Sequence, residues 1–167
     1  MSRTVLYVFS IIFLILPVFM ITADNGANPP RLGYAQLWPV HAVLMSLSLG
    51  LMLAGMTVSA FMKKKRWWLK THRRLQWTGG ICGIVGLATA VYMISVSTGV
   101  HFQLLHSVLG LVGIVLIVSG LTLGLLIFKV ETKLKKGFRI IHRWTGRITL
   151  ALMASVIVMG LMIVGIL

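Results

Sequence analysis

The chain has 167 residues, of which 58% are hydrophobic and only 11% charged, and its mean hydropathy is +0.98. A soluble domain carries about 25% charged residues, so a water-soluble globule is excluded. The charge is one-sided, with 16 Lys and Arg against 2 Asp and Glu for a formal +14. Lying between long apolar runs, it reads as membrane topology rather than as a nucleic-acid footprint, and no nucleic-acid partner is expected.

A transmembrane helix needs roughly 20 predominantly apolar residues, and five runs qualify, at about 5–23, 39–62, 75–98, 104–128 and 143–167. The first is either a transmembrane helix or a signal peptide, because Ile21-Thr22-Ala23 precedes the polar Asp24-Asn25-Gly26. Residues 24–38, with Pro29 and Pro30, read as an outer loop. Residues 39–167 then form a four-helix membrane domain with short links and no extramembrane domain. The expected fold is all-α, a polytopic membrane bundle of four core helices plus one N-terminal helix.

The basic residues set the sidedness. Lys63, Lys64, Lys65, Arg66, Lys70, Arg73 and Arg74 lie in or beside the link after the second run. Lys129, Lys133, Lys135, Lys136, Arg139, Arg143 and Arg147 flank the link after the fourth. Both links fall on one side, which the positive-inside rule makes cytoplasmic. The N-terminus is then inside and the C-terminus outside. Trp67, Trp68, Trp77 and Trp144 crowd the inner boundary and Trp38 the outer one, as interfacial aromatics do.

Five histidines are unusual in so apolar a chain. Four of them, His41, His72, His106 and His142, lie near the start of the last four runs, one on each. The runs alternate in direction, so His41 and His106 share the outer level and His72 and His142 the inner. A pair of neutral imidazoles facing across a bundle matches the need of a six-coordinate haem iron for two axial nitrogens. The bland alternative is four interfacial or hydrogen-bonding rings on a haem-free scaffold or small transporter.

Small residues continue each histidine's face at helical spacing. His72 is followed by Gly79, Gly83, Gly86 and Ala90, and His106 by Gly110, Gly113, Gly120 and Gly124. His142 leads Gly146, Thr149 and Gly160, and His41 leads Met45, Ser48 and Gly55. Such stripes let membrane helices approach closely; they would also leave room for a macrocycle beside its ligand. The single cysteine, Cys82, is read as a packing residue. It excludes a disulfide framework, a Cys-rich metal site and a covalent C-x-x-C-H haem attachment.

Several of these segments resemble one family. His41-Ala42-Val43-Leu44-Met45 is similar to the H-x-x-L-M opening of a core helix in eukaryotic-type cytochrome b561. Phe102 to Gly110 resembles its F-x-x-L-H-S-x-L-G segment, with Val108 where tryptophan is often found. His142-Arg143-Trp144-Thr145-Gly146-Arg147 resembles the H-R-W-x-G-R opening of its last ligand helix, notably in the ferric-reductase and DOMON-linked branches. Lys70-Thr71-His72 fits the remaining ligand helix loosely. The family often has a sixth helix after the last ligand helix, whereas the run holding His142 is the last here.

The resemblance implies two non-covalent haem b groups, each with two histidine ligands. His41 and His106 would hold the outer iron, and His72 and His142 the inner. It also implies electron transfer from a cytoplasmic donor such as ascorbate to an outer ferric chelate, oxidised ascorbate or partner protein, the activity of a transmembrane oxidoreductase. An alternative keeps both haems in a membrane-anchor subunit that exchanges electrons with quinone or an extramembrane cytochrome. Arg73, Arg143 and Arg147 are candidate partners for haem propionates. Membrane lipid, a small-molecule or protein donor and acceptor, and a homodimer or redox-complex partner complete the expected contacts. His101 is either a solvated loop residue or an aid to the outer acceptor.

Overall fold

The computed structural model describes residues 32–165. The first apolar run and residues 24–31 of the expected outer loop lie outside the described residues. Four helices follow in order: α1 (Leu32–Phe61), α2 (Trp68–Ser97), α3 (Leu105–Leu126) and α4 (Thr132–Ile163). Each is long and apolar enough to cross a membrane. The 22 residues of α3 span about 33 Å at about 1.5 Å per residue, close to the thickness of a hydrocarbon core.

Three helices begin before their apolar runs do. α1 starts at Leu32, and its membrane-like part is Leu37–Phe61. α2 and α4 start within the basic segments, so Lys70, Arg73 and Arg74 are already helical, as are Lys133, Lys135, Lys136 and Arg139. Lys and Arg are good helix formers in water, so α2 and α4 continue past the bilayer boundary that the apolar pattern marks. Pro39 lies inside α1, a position membrane helices tolerate when neighbours satisfy the freed carbonyl.

The helices stand in a square. α1 packs most closely on α2, and α3 on α4; thinner contacts join α1 to α4 and α2 to α3. Among the described residues, no Cα atoms approach within 8 Å across either diagonal, α1 to α3 or α2 to α4. The close α1–α2 contact depends on glycine. A Cβ at Gly79 would stand 2.7 Å from Met52 Cγ and 3.1 Å from the Ser48 carbonyl oxygen. Ser48 is wholly buried there and donates to the Gly79 carbonyl at 2.7 Å.

Methionines and aliphatic residues fill the centre: Met45, Met52, Ile114, Ile117, Leu150 and Met153 form the core cluster. The outward faces are the reverse of a soluble protein's. Val43 is 65% exposed and Val115 57% exposed, which suits contact with lipid. Hydroxyls of Thr57, Thr89, Ser95, Ser119, Thr122 and Thr149 donate to the carbonyl four residues back. This leaves few polar groups to be satisfied by the bilayer. The molecule is an integral, multi-pass helical membrane bundle.

Candidate functional site

The diagonals of the square hold the histidines. His41 on α1 and His106 on α3 face each other with ring centroids 6.3 Å apart and planes at 80°. His72 on α2 and His142 on α4 repeat this at 6.3 Å and 89°. The first pair lies toward the end bearing the α2–α3 link, and the second toward the end bearing the two basic links. The pairing by level expected from the sequence is therefore present as geometry.

Each ring is held by a backbone carbonyl. Nδ1 of His41 donates to Gly86 at 2.8 Å, and Nδ1 of His72 donates back across the α1–α2 contact to Gly55 at 2.8 Å. Within the other close pair, His106 donates to Val156 at 2.9 Å and His142 to Gly120 at 3.1 Å. A carbonyl can only accept, so the proton of each neutral ring sits on Nδ1. Nε2 then carries the lone pair. This is the second-shell arrangement that fixes a metal-binding imidazole in one tautomer and one orientation.

The four acceptors follow one spacing. Gly55, Gly86, Gly120 and Val156 each stand fourteen residues after the histidine of their own helix. Fourteen residues advance about 21 Å and return to nearly the same face of a helix. Every helix thus supplies an imidazole at one level and a carbonyl, for its close neighbour's imidazole, at the other. The two levels lie about 21 Å apart along the helices, inside a hydrocarbon core of about 30 Å.

Glycines bound the rings. A Cβ at Gly160 would lie 2.9 Å from His106 Cε1, and one at Gly124 would lie 3.3 Å from His142 Cε1. Beside the ligating faces there is room instead: a Cβ at Gly146 meets nothing within 4 Å, and one at Gly110 meets only Val156, at 3.9 Å. Gln76, one turn below His72, reaches the same stretch of α1. Its Nε2 donates to the Met52 carbonyl at 2.9 Å and lies where a Cβ on Gly55 would be, 2.6 Å away.

Sequence reasoning did not single out Gln76 or the carbonyl acceptors. The signal for Gln76 was present, a lone amide one turn after a histidine in an apolar helix. The three candidate arginines each rest against another group. The Arg73 guanidinium rests 5.6 Å above the Phe128 ring, and that of Arg147 lies 5.4 Å above Trp144. Arg143 Nε donates to the Arg139 carbonyl at 3.2 Å. Arg73 and Arg143 are exposed and Arg147 half-buried. His101 Nε2 donates to Ser95 Oγ at 3.2 Å, the serine proton being given to the Val91 carbonyl.

Residues 40–166 match the family described as eukaryotic cytochrome b561. The chain belongs to the eukaryotic cytochrome b561 family. No curated protein and no solved structure matched it. Membership makes the chain a membrane b-type cytochrome that transfers electrons across the bilayer.

The residues present fit a b-type haem. Among the described residues, no group of three or more His, Cys, Asp or Glu gathers to hold a bare metal ion. Two imidazoles per site suffice only if the ligand itself supplies the other four nitrogens, as a porphyrin does. With metal–imidazole bonds of about 2 Å and each ring centre about 1 Å behind its nitrogen, trans imidazoles on one metal have centroids about 6 Å apart. The two observed separations, 6.3 Å each, match that requirement.

Proposed function

We propose that this cytochrome b561 carries two haem b groups, one held by His41 and His106 and the other by His72 and His142. Haem supplies the one-electron chemistry when bound; the chain positions it, excludes water and sets its surroundings. The observation that carries the reading is the pair of diagonal histidine contacts at 6.3 Å, one near each end of the bundle. Levels about 21 Å apart by helix rise support a site within reach of each membrane surface. Arg147, half-buried on α4, and the exposed Arg73 and Arg143 are the candidate partners for an inner propionate.

The basic links, residues 62–67 and 127–131, face the cytoplasm in this reading, and electrons enter there from a small anionic donor such as ascorbate or from a protein. They leave at the end bearing residues 98–104 for a ferric chelate, oxidised ascorbate or a partner protein. The short links favour a second form of the same reading, in which the chain is the membrane-anchor subunit of a larger redox complex and exchanges electrons with quinone or an extramembrane cytochrome. A homodimer is the simplest assembly for the first form.

Pyridine haemochrome stoichiometry of the purified chain tests the haem count, and two b-type haems per chain are expected. Sealed vesicles loaded with an acceptor, and given ascorbate or a quinol outside, then separate the two forms. Fast reduction by ascorbate supports the first, and reduction by quinol alone supports the second. A single haem per chain would overturn the pairing itself.

A further inference from the structure

The first turns of α2 carry a second feature, on the face opposite the histidine. Arg66, Leu69, Lys70, Arg73, Arg74, Trp77 and Thr78 line an open cleft of about 600 Å³. Taken at 100° per residue, the positions within α2 centre roughly 150° around the helix from His72, and Arg66 lies in the turn that leads into it. His72 points to Gly55 of α1 and His142 of α4. The cleft therefore opens away from the bundle, toward the bilayer, and a donor bound there would have its back to the inner histidine pair.

Its lining has four cations and no acid. Lys70 and Arg74 stand one turn apart on α2, and Arg66, in the turn just before the helix, lines the same cleft. At the α3 side the Arg73 guanidinium is held over Phe128. Trp77 forms the lower rim and is 42% exposed, at the depth where tryptophan sits among lipid headgroups. Below it the same face turns wholly apolar: Ile81, Ile84 and Val85 are 56%, 46% and 47% exposed. Cations above, an indole at the boundary and an aliphatic strip beneath reproduce, in order, the headgroup, interface and acyl chain of one lipid.

We propose that this face of α2 is a docking site for an anionic phospholipid, with its phosphate between Arg66, Lys70 and Arg74 and one acyl chain along Ile81, Ile84 and Val85. Arginine and lysine heads converging on one phosphate give charge-assisted hydrogen bonds that a diffuse basic surface does not. Four like charges on neighbouring turns repel one another when unoccupied, and a phosphate between them relieves that repulsion. The bound lipid fixes the depth of α2, and with it the level of His72 in the bilayer.

Native mass spectrometry of the full chain, released from bilayer discs of equal phosphatidylcholine and phosphatidylglycerol, tests this. The wild type is expected to retain phosphatidylglycerol in preference. The variant R66Q/K70Q/R74Q is expected to lose that retention by about tenfold or more. K133Q/K135Q/K136Q, which removes the same charge from α4, is expected to change it less than about twofold. Charge-conserving R66K/R74K keeps most of the retention and guards against misfolding of the triple variant, whose helicity is read by circular dichroism. Equal losses in both triple variants, equal retention of phosphatidylcholine, or full displacement of the lipid by inorganic phosphate would each overturn the proposal.

Discussion

Nδ1 of His41 donates to the Gly86 carbonyl at 2.8 Å, and Gly86 stands fourteen residues beyond His72 on the helix that His41 grips. The reciprocal bond, from His72 to Gly55, closes the contact between α1 and α2 at the other level. The two histidines of a close helix pair therefore belong to different diagonal pairs while locking the same helix contact. Histidine placement and helix packing are one set of interactions, so disturbing either level reaches the other along about 21 Å of helix.

The perpendicular rings make a spectroscopic prediction. The planes of His41 and His106 cross at 80°, those of His72 and His142 at 89°, and each ring is pinned by its carbonyl. Holding a haem iron at these angles, the two imidazoles of each pair would leave its π-symmetry d orbitals nearly equal in energy. Oxidised protein is therefore expected to give strongly anisotropic low-spin electron paramagnetic resonance signals at both sites. Ordinary rhombic spectra, the mark of parallel rings, would contradict the carbonyl-held orientations.

Removing one ligand tests the diagonal pairing. His41→Leu and His106→Leu are each expected to halve the haem content while the remaining haem keeps its spectrum. His72→Leu and His142→Leu should do the same for the other site. Haem quantitation with redox titration reads this out directly. If His41→Leu and His72→Leu removed the same redox component, the sites would join close neighbours rather than diagonals.

Much of this site was legible in the sequence. The apolar runs and two basic links set helix direction, and direction sorted His41 with His106 and His72 with His142. The stripes of glycine were legible too, since a spacing of four, seven or eleven residues keeps one face. The carbonyl acceptors were not, because a backbone oxygen leaves no mark in residue identity; Val156 can accept as well as Gly120 does. Arg73 and Arg143 each adjoin a histidine in sequence, but one residue turns a helix by about 100°, and their guanidinium groups rest against the Phe128 ring and the Arg139 carbonyl.

Gly160 and Gly146 predict opposite responses to the same methyl group. In a helix interior alanine is favoured over glycine by about 1 kcal/mol. At Gly160 the new Cβ would meet His106 Cε1 at 2.9 Å, and the ring, pinned by Val156, has little freedom to yield. Overpacking of this kind costs about 1–3 kcal/mol. Gly160→Ala is therefore expected to lower thermal stability and shift the potential of the His41–His106 site. At Gly146 nothing lies within 4 Å, so Gly146→Ala should leave the haem-free fold as stable or more so. Its haem content should fall, if the open space belongs to the macrocycle; unchanged haem content would assign that space to lipid.

Gln76 is expected to act as a positioning residue for His72. Its amide holds the Met52 carbonyl at 2.9 Å, one turn before the Gly55 carbonyl that holds the ring. Gln76→Leu removes the donor and leaves the Met52 carbonyl with its intrahelical bond, at a cost of about 1 kcal/mol. A leucine also branches close to Gly55, where the amide nitrogen already lies 2.6 Å from the place of a Cβ. Both effects displace the Gly55 carbonyl and turn the imidazole it orients. A shift in the midpoint potential and in the paramagnetic resonance line of the His72–His142 site is expected, while the His41–His106 line is unchanged. Gln76→Glu, similar in shape but deprived of the donor, separates the two causes: if lost hydrogen bonding dominates, it should shift the same line, and if crowding dominates, it should not.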